Sequence, residues 1–137
     1  MVGEIKMSKW YDGAVSKEKI IYMFNGDFPL SDICIESIAI YEKIVVCSFI
    51  TNYIPSKYPE KWKLENFNAI SFELSFSDLI DFSFNGDHLF GNYGELIIQK
   101  KDDVIHINFK SSNIDLSFTA NYMFINDIKP INMISSR

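Results

Sequence analysis

The chain changes its hydrophobic period once, near residue 31. Before that point apolar residues recur at helical spacing. In "SKEKIIYMF" (Ser16 to Phe24), Ile20, Ile21 and Phe24 share one helical face. Ser16 has the chemistry of an N-cap, because its hydroxyl can accept from the free amides of the first turn. Gly26 suits the left-handed position after a helix, and Pro29 stops continuation. One helix is therefore expected over this stretch.

From Ser31 onward the period is two. "ICIESIAIYE" (Ile33 to Glu42) and "KIVVCSFIT" (Lys43 to Thr51) are apolar on both faces in places, as central or covered strands are. "AISFELSF" sets Ile70, Phe72, Leu74 and Phe76 against Ser71, Glu73 and Ser75. "DLIDFSFNG" sets Ile80, Phe82 and Phe84 against Asp81, Ser83 and Asn85. A one-residue slip would put apolar side chains on the wrong face, so each hairpin has a testable register. A turn at Glu42-Lys43 sets Ile38 opposite Cys47. A connection at Ser77-Asp78-Leu79 sets Phe76 opposite Ile80 and Leu74 opposite Phe82. A turn at Lys101-Asp102 sets Ile98 opposite Ile105, and one at Ser111-Ser112 sets Phe109 opposite Ile114. A last run, "NYMFINDI", brings the expected number to about eight strands. Short links between successive strands favour antiparallel neighbours. The expected fold is mostly β (α+β): a curved antiparallel meander sheet or open barrel of about eight strands, with one N-terminal helix on the apolar face.

At 137 residues the chain fits a single domain, 1–137, with a core that needs no metal or disulfide. No apolar run approaches the roughly 20 residues of a membrane span. The N-terminus, "MVGEIKMSKW", is charged where a signal peptide needs an apolar segment, so a cytoplasmic location is expected. Cys34 and Cys47 fall about four residues out of register, too far apart to bridge, and are expected as free, mostly buried thiols.

The net charge is −5, and its distribution says more than its size. Residues 1–63 hold eight lysines and eight acids; residues 100–137 hold five bases and four acids. Residues 64–99 hold six acids (Glu65, Glu73, Asp78, Asp81, Asp87, Glu95) and no Lys or Arg. Acids on strand ends and solvent faces can simply keep those faces in water. Gathered in one region, they make a negative surface that speeds and selects association with a basic partner. A sole arginine at the C-terminus and no basic stripe argue against nucleic acid.

Candidate chemistry is sparse. His106 lies on a strand face. His88 follows Asp87 in "NGDHLFGNYG", but no nucleophile stands at a spacing that would complete a triad. Two histidines and two strand cysteines give no standard metal-ligand spacing, and no glycine-rich phosphate loop is present. Glu73 and Asp81 would approach each other across a hairpin, though on an open face without a cleft. The expectation is no enzyme, no metal and no cofactor.

The long link Asn52 to Asn66 contains "YIPSKYPEKW" (Tyr53 to Trp62). Pro55 and Pro59 stiffen it, and Trp62 is expected to fold back as its structural anchor. Tyr53, Tyr58 and Lys61 are expected to face out.

Four pieces of the chain together resemble the immunity protein 50 family of bacterial polymorphic-toxin systems. They are Trp10, "FPLSDICIESI" (Phe28 to Ile38), "PSKYPEKW" (Pro55 to Trp62) and "NAISFELSFSDLIDFSFNG" (Asn68 to Gly86). Ser31 stands where that family often has His. The resemblance implies a non-catalytic protein that binds and neutralises a cognate toxin; a basic nuclease domain would suit the negative charge. It transfers no catalytic residues. Glu73, Asp78, Asp81, Asp87 and Glu95 are the expected partner-binding residues, with Tyr58 and Lys61 at the rim. The alternative is a small β-barrel-like carrier of an apolar ligand, motivated by twelve phenylalanines.

Overall fold

The computed structural model describes residues 9–88 and 92–133. The N-terminal stretch 1–8, on which the signal-peptide expectation rests, and part of the His88 loop lie outside the described residues. One helix, α1 (Glu18–Phe24), is followed by six strands: β1 (Ile33–Tyr41), β2 (Ile44–Thr51), β3 (Ala69–Gly86), β4 (Tyr93–Lys101), β5 (Val104–Lys110) and β6 (Ile114–Ile131). A short 3-10 helix, Glu60–Leu64, lies between β2 and β3. No helix of the described residues is long and apolar enough to cross a membrane.

The strands form one ring-like antiparallel sheet in the order β1-β2-β3-β6-β5-β4, with β4 returning to β1. The mostly-β, antiparallel fold with one helix is the one expected. The strand number and two neighbours differ. β3 does not turn at Ser77-Asp78-Leu79. It runs on as one strand of 18 residues and pairs with β6, also of 18, from Ala69↔Ile131 to Gly86↔Ile114. Asp78 takes a left-handed φ of 58°, and the ladder shifts register between Leu79 and Asp81. Ile80 is the extra residue of this bulge, 54% exposed, and it does not meet Phe76. The bulge keeps Phe82 on the inner face, opposite Phe118.

The β1–β2 hairpin turns at Glu42-Lys43 with Ile38 opposite Cys47, as expected. A register shift between Ile35 and Ser37 moves Cys34 opposite Ile50. Both cysteines are buried, and no disulfide joins them. Cys47 packs in the main core, and Cys34 packs in a separate cluster with Ile50 and Ala69. The two later hairpins turn one residue later than expected, at Asp102-Asp103 and Ser112-Asn113, which moves each partner by two, to Ile98↔Ile107 and Phe109↔Leu116. A shift of two preserves faces, so Leu96, Ile98, Ile105, Ile107 and Phe109 are still all buried.

Because β3 and β6 are long and antiparallel, each has two halves with different neighbours. β2 pairs with the first half of β3, Ile70 to Ser77. β5 pairs with the first half of β6, Asp115 to Ala120. The second half of β6 is covered on its other edge by the chain before α1. Ala14 bridges to Met123, and the Val15 N–H donates to the Met123 carbonyl at 2.8 Å. Ser16 does not cap α1. Its hydroxyl donates to the Ile125 carbonyl (3.1 Å) and accepts from the Ile125 N–H (3.0 Å), pinning the helix to β6. Ile20 and Phe24 are fully buried, whereas Ile21 is 42% exposed. The helix ends at Asn25 (φ 56°) and Gly26 (φ 79°), both left-handed.

Inside the ring, aromatic rings touch in series. Phe49 stacks on Phe72 (5.3 Å), Phe72 meets Phe28 edge-on (5.2 Å), and Phe76 meets Phe118 edge-on (4.9 Å). The seam from β4 to β1 is short, pairing Ile33 with Gly94 and Cys34 with Tyr93. A Cβ at Gly94 would collide with the Lys110 carbonyl oxygen, so the seam needs glycine there.

Candidate partner-binding surface

Alternation along β3 turns Glu73, Ser75 and Asp81 to the outer face, opposite outward residues of β6. Glu73 lies directly across from Asp127. It accepts from Asn126 Nδ2 at 3.0 Å, and Asn126 Oδ1 in turn accepts from the Ser75 hydroxyl at 3.0 Å. Asp78 accepts from Asn121 Nδ2 at 2.5 Å, and Asp81 accepts from the Thr119 hydroxyl at 3.0 Å. Each of these three carboxylates is oriented by a neutral donor from β6. The one ion pair among the described residues is Lys63–Glu60, at 3.0 Å on the loop before β3. Lys129, opposite Ser71, is the basic residue closest in register to Glu73. Lys19 spends its ammonium on the Ile125 and Asn126 carbonyls, at 3.1 and 3.0 Å.

The expected acids are not all together. Glu73 and Asp81 do not face each other across a hairpin. They lie on one strand, eight residues apart, or roughly 26 Å at strand rise. Glu95 sits on β4 opposite Lys110, and Lys110 is opposite Asp115, so a base separates these two acids. Asp87 follows the end of β3 at the mouth of a cleft. The negative stripe therefore runs along β3 and β6. It includes Glu73, Asp78 and Asp81, and adds Asp127; Asp115, facing Lys110, lies at its neutralised end. Asp127 was not legible from local pattern, because nothing in the run "NYMFINDI" says which strand lies beside it.

The cleft was also not foreseen. It has a volume of about 340 Å³ and is lined by Ile38, Ile40, Phe82, Phe84, Asp87 and His88. Ile38 and Ile40 sit opposite the buried Cys47 and Val45, so they point to the inner face, but at the tip of the hairpin. Ile40 is 48% and Phe84 41% exposed. Phe82 stacks on Phe118 at 5.7 Å, which joins the cleft floor to the core.

The loop before β3 is held by Trp62, 2% exposed, whose ring meets Phe24 at 5.7 Å and Phe67 at 5.7 Å. Pro59 precedes the 3-10 turn with φ −58°, and Pro55 is buried. Tyr58 does not face out. It is half-buried, stacked on Trp62 and edge-on to Phe67. Lys61 is exposed, and the exposed Tyr53 donates its hydroxyl to Asp27 at 2.9 Å. Burial pushes the Cys47 thiol up to about 12. No group of three or more metal-ligating side chains occurs among the described residues.

No curated protein and no solved structure matches this chain. A family model described as Immunity protein 50 matches residues 16–131, from the residue that pins α1 through the last position of β6. That span takes in the whole ring, the aromatic loop and the acidic strands, and the chain belongs to the immunity protein 50 family.

Proposed function

We propose that this protein binds a cognate protein toxin and neutralises it without catalysis of its own. Family membership supplies the immunity role. The observation that carries the mode of binding is the outer β3–β6 face. Glu73, Asp78, Asp81 and Asp127 stand there oriented by neutral donors or unpaired, with no ion pair to any of them among the described residues. A basic toxin domain, such as a nuclease, would gain from this potential in both encounter rate and selectivity. Neither nucleic acid nor a membrane is a partner in this reading. It acts in the cytoplasm. Lys61 and Asp87 lie at the rim, and Glu95, opposite Lys110, contributes least.

The test is co-expression in bacteria of this chain with the toxic domain encoded beside it. Growth is expected to recover with the chain present, and the two proteins are expected to co-purify. Recovery of growth without a complex, or a complex that leaves growth arrested, would overturn the reading.

A further inference from the structure

The cleft has a backbone component that its apolar lining does not reveal. β1 and β2 are joined by the two-residue turn Glu42-Lys43, with Tyr41 opposite Ile44. Such a turn is closed by a pair that exchanges both hydrogen bonds, and bonding then alternates along the ladder. Ile40 and Ile38 fall at the non-bonded positions. Their N–H and C=O groups point away from β2. On that side β4 reaches only Ile33 and Cys34. Among the described residues, the edge from Ser37 to Tyr41 thus has no strand beside it.

The opposite wall is similar. β2 leaves β3 at Ser77, and a last bond joins the Leu79 N–H to the Lys43 carbonyl at 3.0 Å. From Ile80 to Asn85, β6 is the one strand paired with β3 among the described residues. Between these two strands lie Ile38, Ile40, Phe82 and Phe84.

Unpaired strand edges template further pairing unless they are blunted, most often by Lys, Pro or bulges. These two edges carry a bulge each, but no Lys and no Pro within Ser37–Tyr41 or Ile80–Asn85. Within and beside them Glu36, Glu42, Asp81 and Asp87 outnumber the single base Lys43, so the net charge is negative. A second copy would bring like charge to like charge, whereas a cationic segment would not.

We propose that the Ser37–Tyr41 edge of β1 accepts an extended segment of the partner as an added strand. Its apolar side chains cover Ile38, Ile40, Phe82 and Phe84, and a Lys or Arg meets Asp87. This deepens the toxin-binding reading and rests on it for the partner's identity. The mode is strand addition, in which main-chain bonds give affinity and alternate side chains give selectivity.

The probe is a ten-residue synthetic peptide alternating Val with Lys and Thr, titrated into the isotope-labelled full chain. The amides of Ser37 to Tyr41 are expected to shift, and those of Ile38 and Ile40 to gain protection from hydrogen exchange. The same peptide with Glu in place of Lys is expected to bind at least tenfold more weakly. Ile40→Pro removes only an outward N–H, a position where an edge strand tolerates proline. It is expected to weaken binding at least tenfold, while Ile40→Val, of similar bulk, stays within twofold. Should Ile40→Pro not fold, Asp87→Lys replaces it, with loss of the Lys-peptide preference expected.

Absent binding, shifts confined to other surfaces, or equal affinity of the Pro and Val variants would overturn the proposal. So would concentration-dependent dimerisation through this edge, or an apolar dye filling the cleft while Ile38 and Ile40 exchange freely. No toxin is needed for this experiment, so its failure leaves neutralisation standing. A failed neutralisation test beside a bound peptide leaves the edge as a strand acceptor.

Discussion

Glu73 and Asp127 lie directly opposite each other on the outer face of the β3–β6 ladder. Like charges at facing positions of a sheet are destabilising, by an amount of the order that other cross-strand pairs contribute, about 0.2–1 kcal/mol. The Asn126 amide offsets part of this by donating to Glu73. Asp127→Asn is therefore expected to raise stability in urea unfolding by about that amount. If the face binds a basic partner, the same change lowers the association rate. A variant both more stable and slower to bind would show that the pair is kept for binding; one less stable would refute the like-charge argument.

Reversing charge along the stripe is the broader test. Glu73→Lys together with Asp81→Lys changes exposed or half-buried residues whose carboxylates accept hydrogen bonds from the neutral side chains of Asn126 and Thr119. Folding is expected to survive, since surface changes of this kind usually stay within about 0.5 kcal/mol each. Association with the toxin domain is expected to slow, and its dependence on salt to flatten. Stopped-flow mixing at two ionic strengths measures both. Unchanged rate and unchanged salt dependence would remove this face from the interface.

Trp62 anchors the loop that precedes β3 by packing between Phe24, Tyr58 and Phe67. Trp62→Ala deletes a nearly fully buried ring, and changes of that class cost about 3–5 kcal/mol. The loss is expected in equilibrium denaturation. Leu64, 90% exposed two residues later, serves as the control. Leu64→Ala is expected to be neutral, and a large effect there would contradict the anchoring role of Trp62.

Much of this fold was legible because period and register are local properties. The β1–β2 turn, the buried Ile70-Phe72-Leu74-Phe76 face and the unbridged, buried cysteines follow from alternation and register. What failed was the distinction between a turn and a bulge. Asp78 is a turn-prone residue in a left-handed conformation, and with Leu79 it interrupts the alternation. Both signs are common to a hairpin loop and to a bulged strand that continues. Only the partner strand decides, and Asn121 on β6, donating to Asp78, is 43 residues away. The same blindness hid Asp127 and the cleft, since each depends on which distant strand lies alongside. The acids of β3 could be seen as a group. Their separation from Glu95 by Lys110 could not, because it depends on sheet order.

Cys47 gives a pH prediction with a definite sign. It is fully buried in the core, and burial lifts its thiol to about 12, against about 8.5 for an unfolded chain. The native state therefore holds its proton through a range where the unfolded state has released it. Between those values the native state binds more protons, so stability falls as pH rises. The contribution is fully present below about pH 8.5 and declines above it, by at most about 1.4 kcal/mol per pH unit. Chemical denaturation of the wild type and of Cys47→Ala at pH 7.5 and pH 10 isolates it. The alanine variant is expected to be less stable at both values because of the lost side chain. Its deficit should be smaller at pH 10, since it has no thiol to release a proton on unfolding. Iodoacetamide at pH 9 gives a second reading: Cys47 is expected to stay unmodified in the folded protein and to react on unfolding. Rapid alkylation in the native state, or a deficit that does not shrink with pH, would mean that the thiol is less enclosed than its place opposite Ile38 and Leu74 requires.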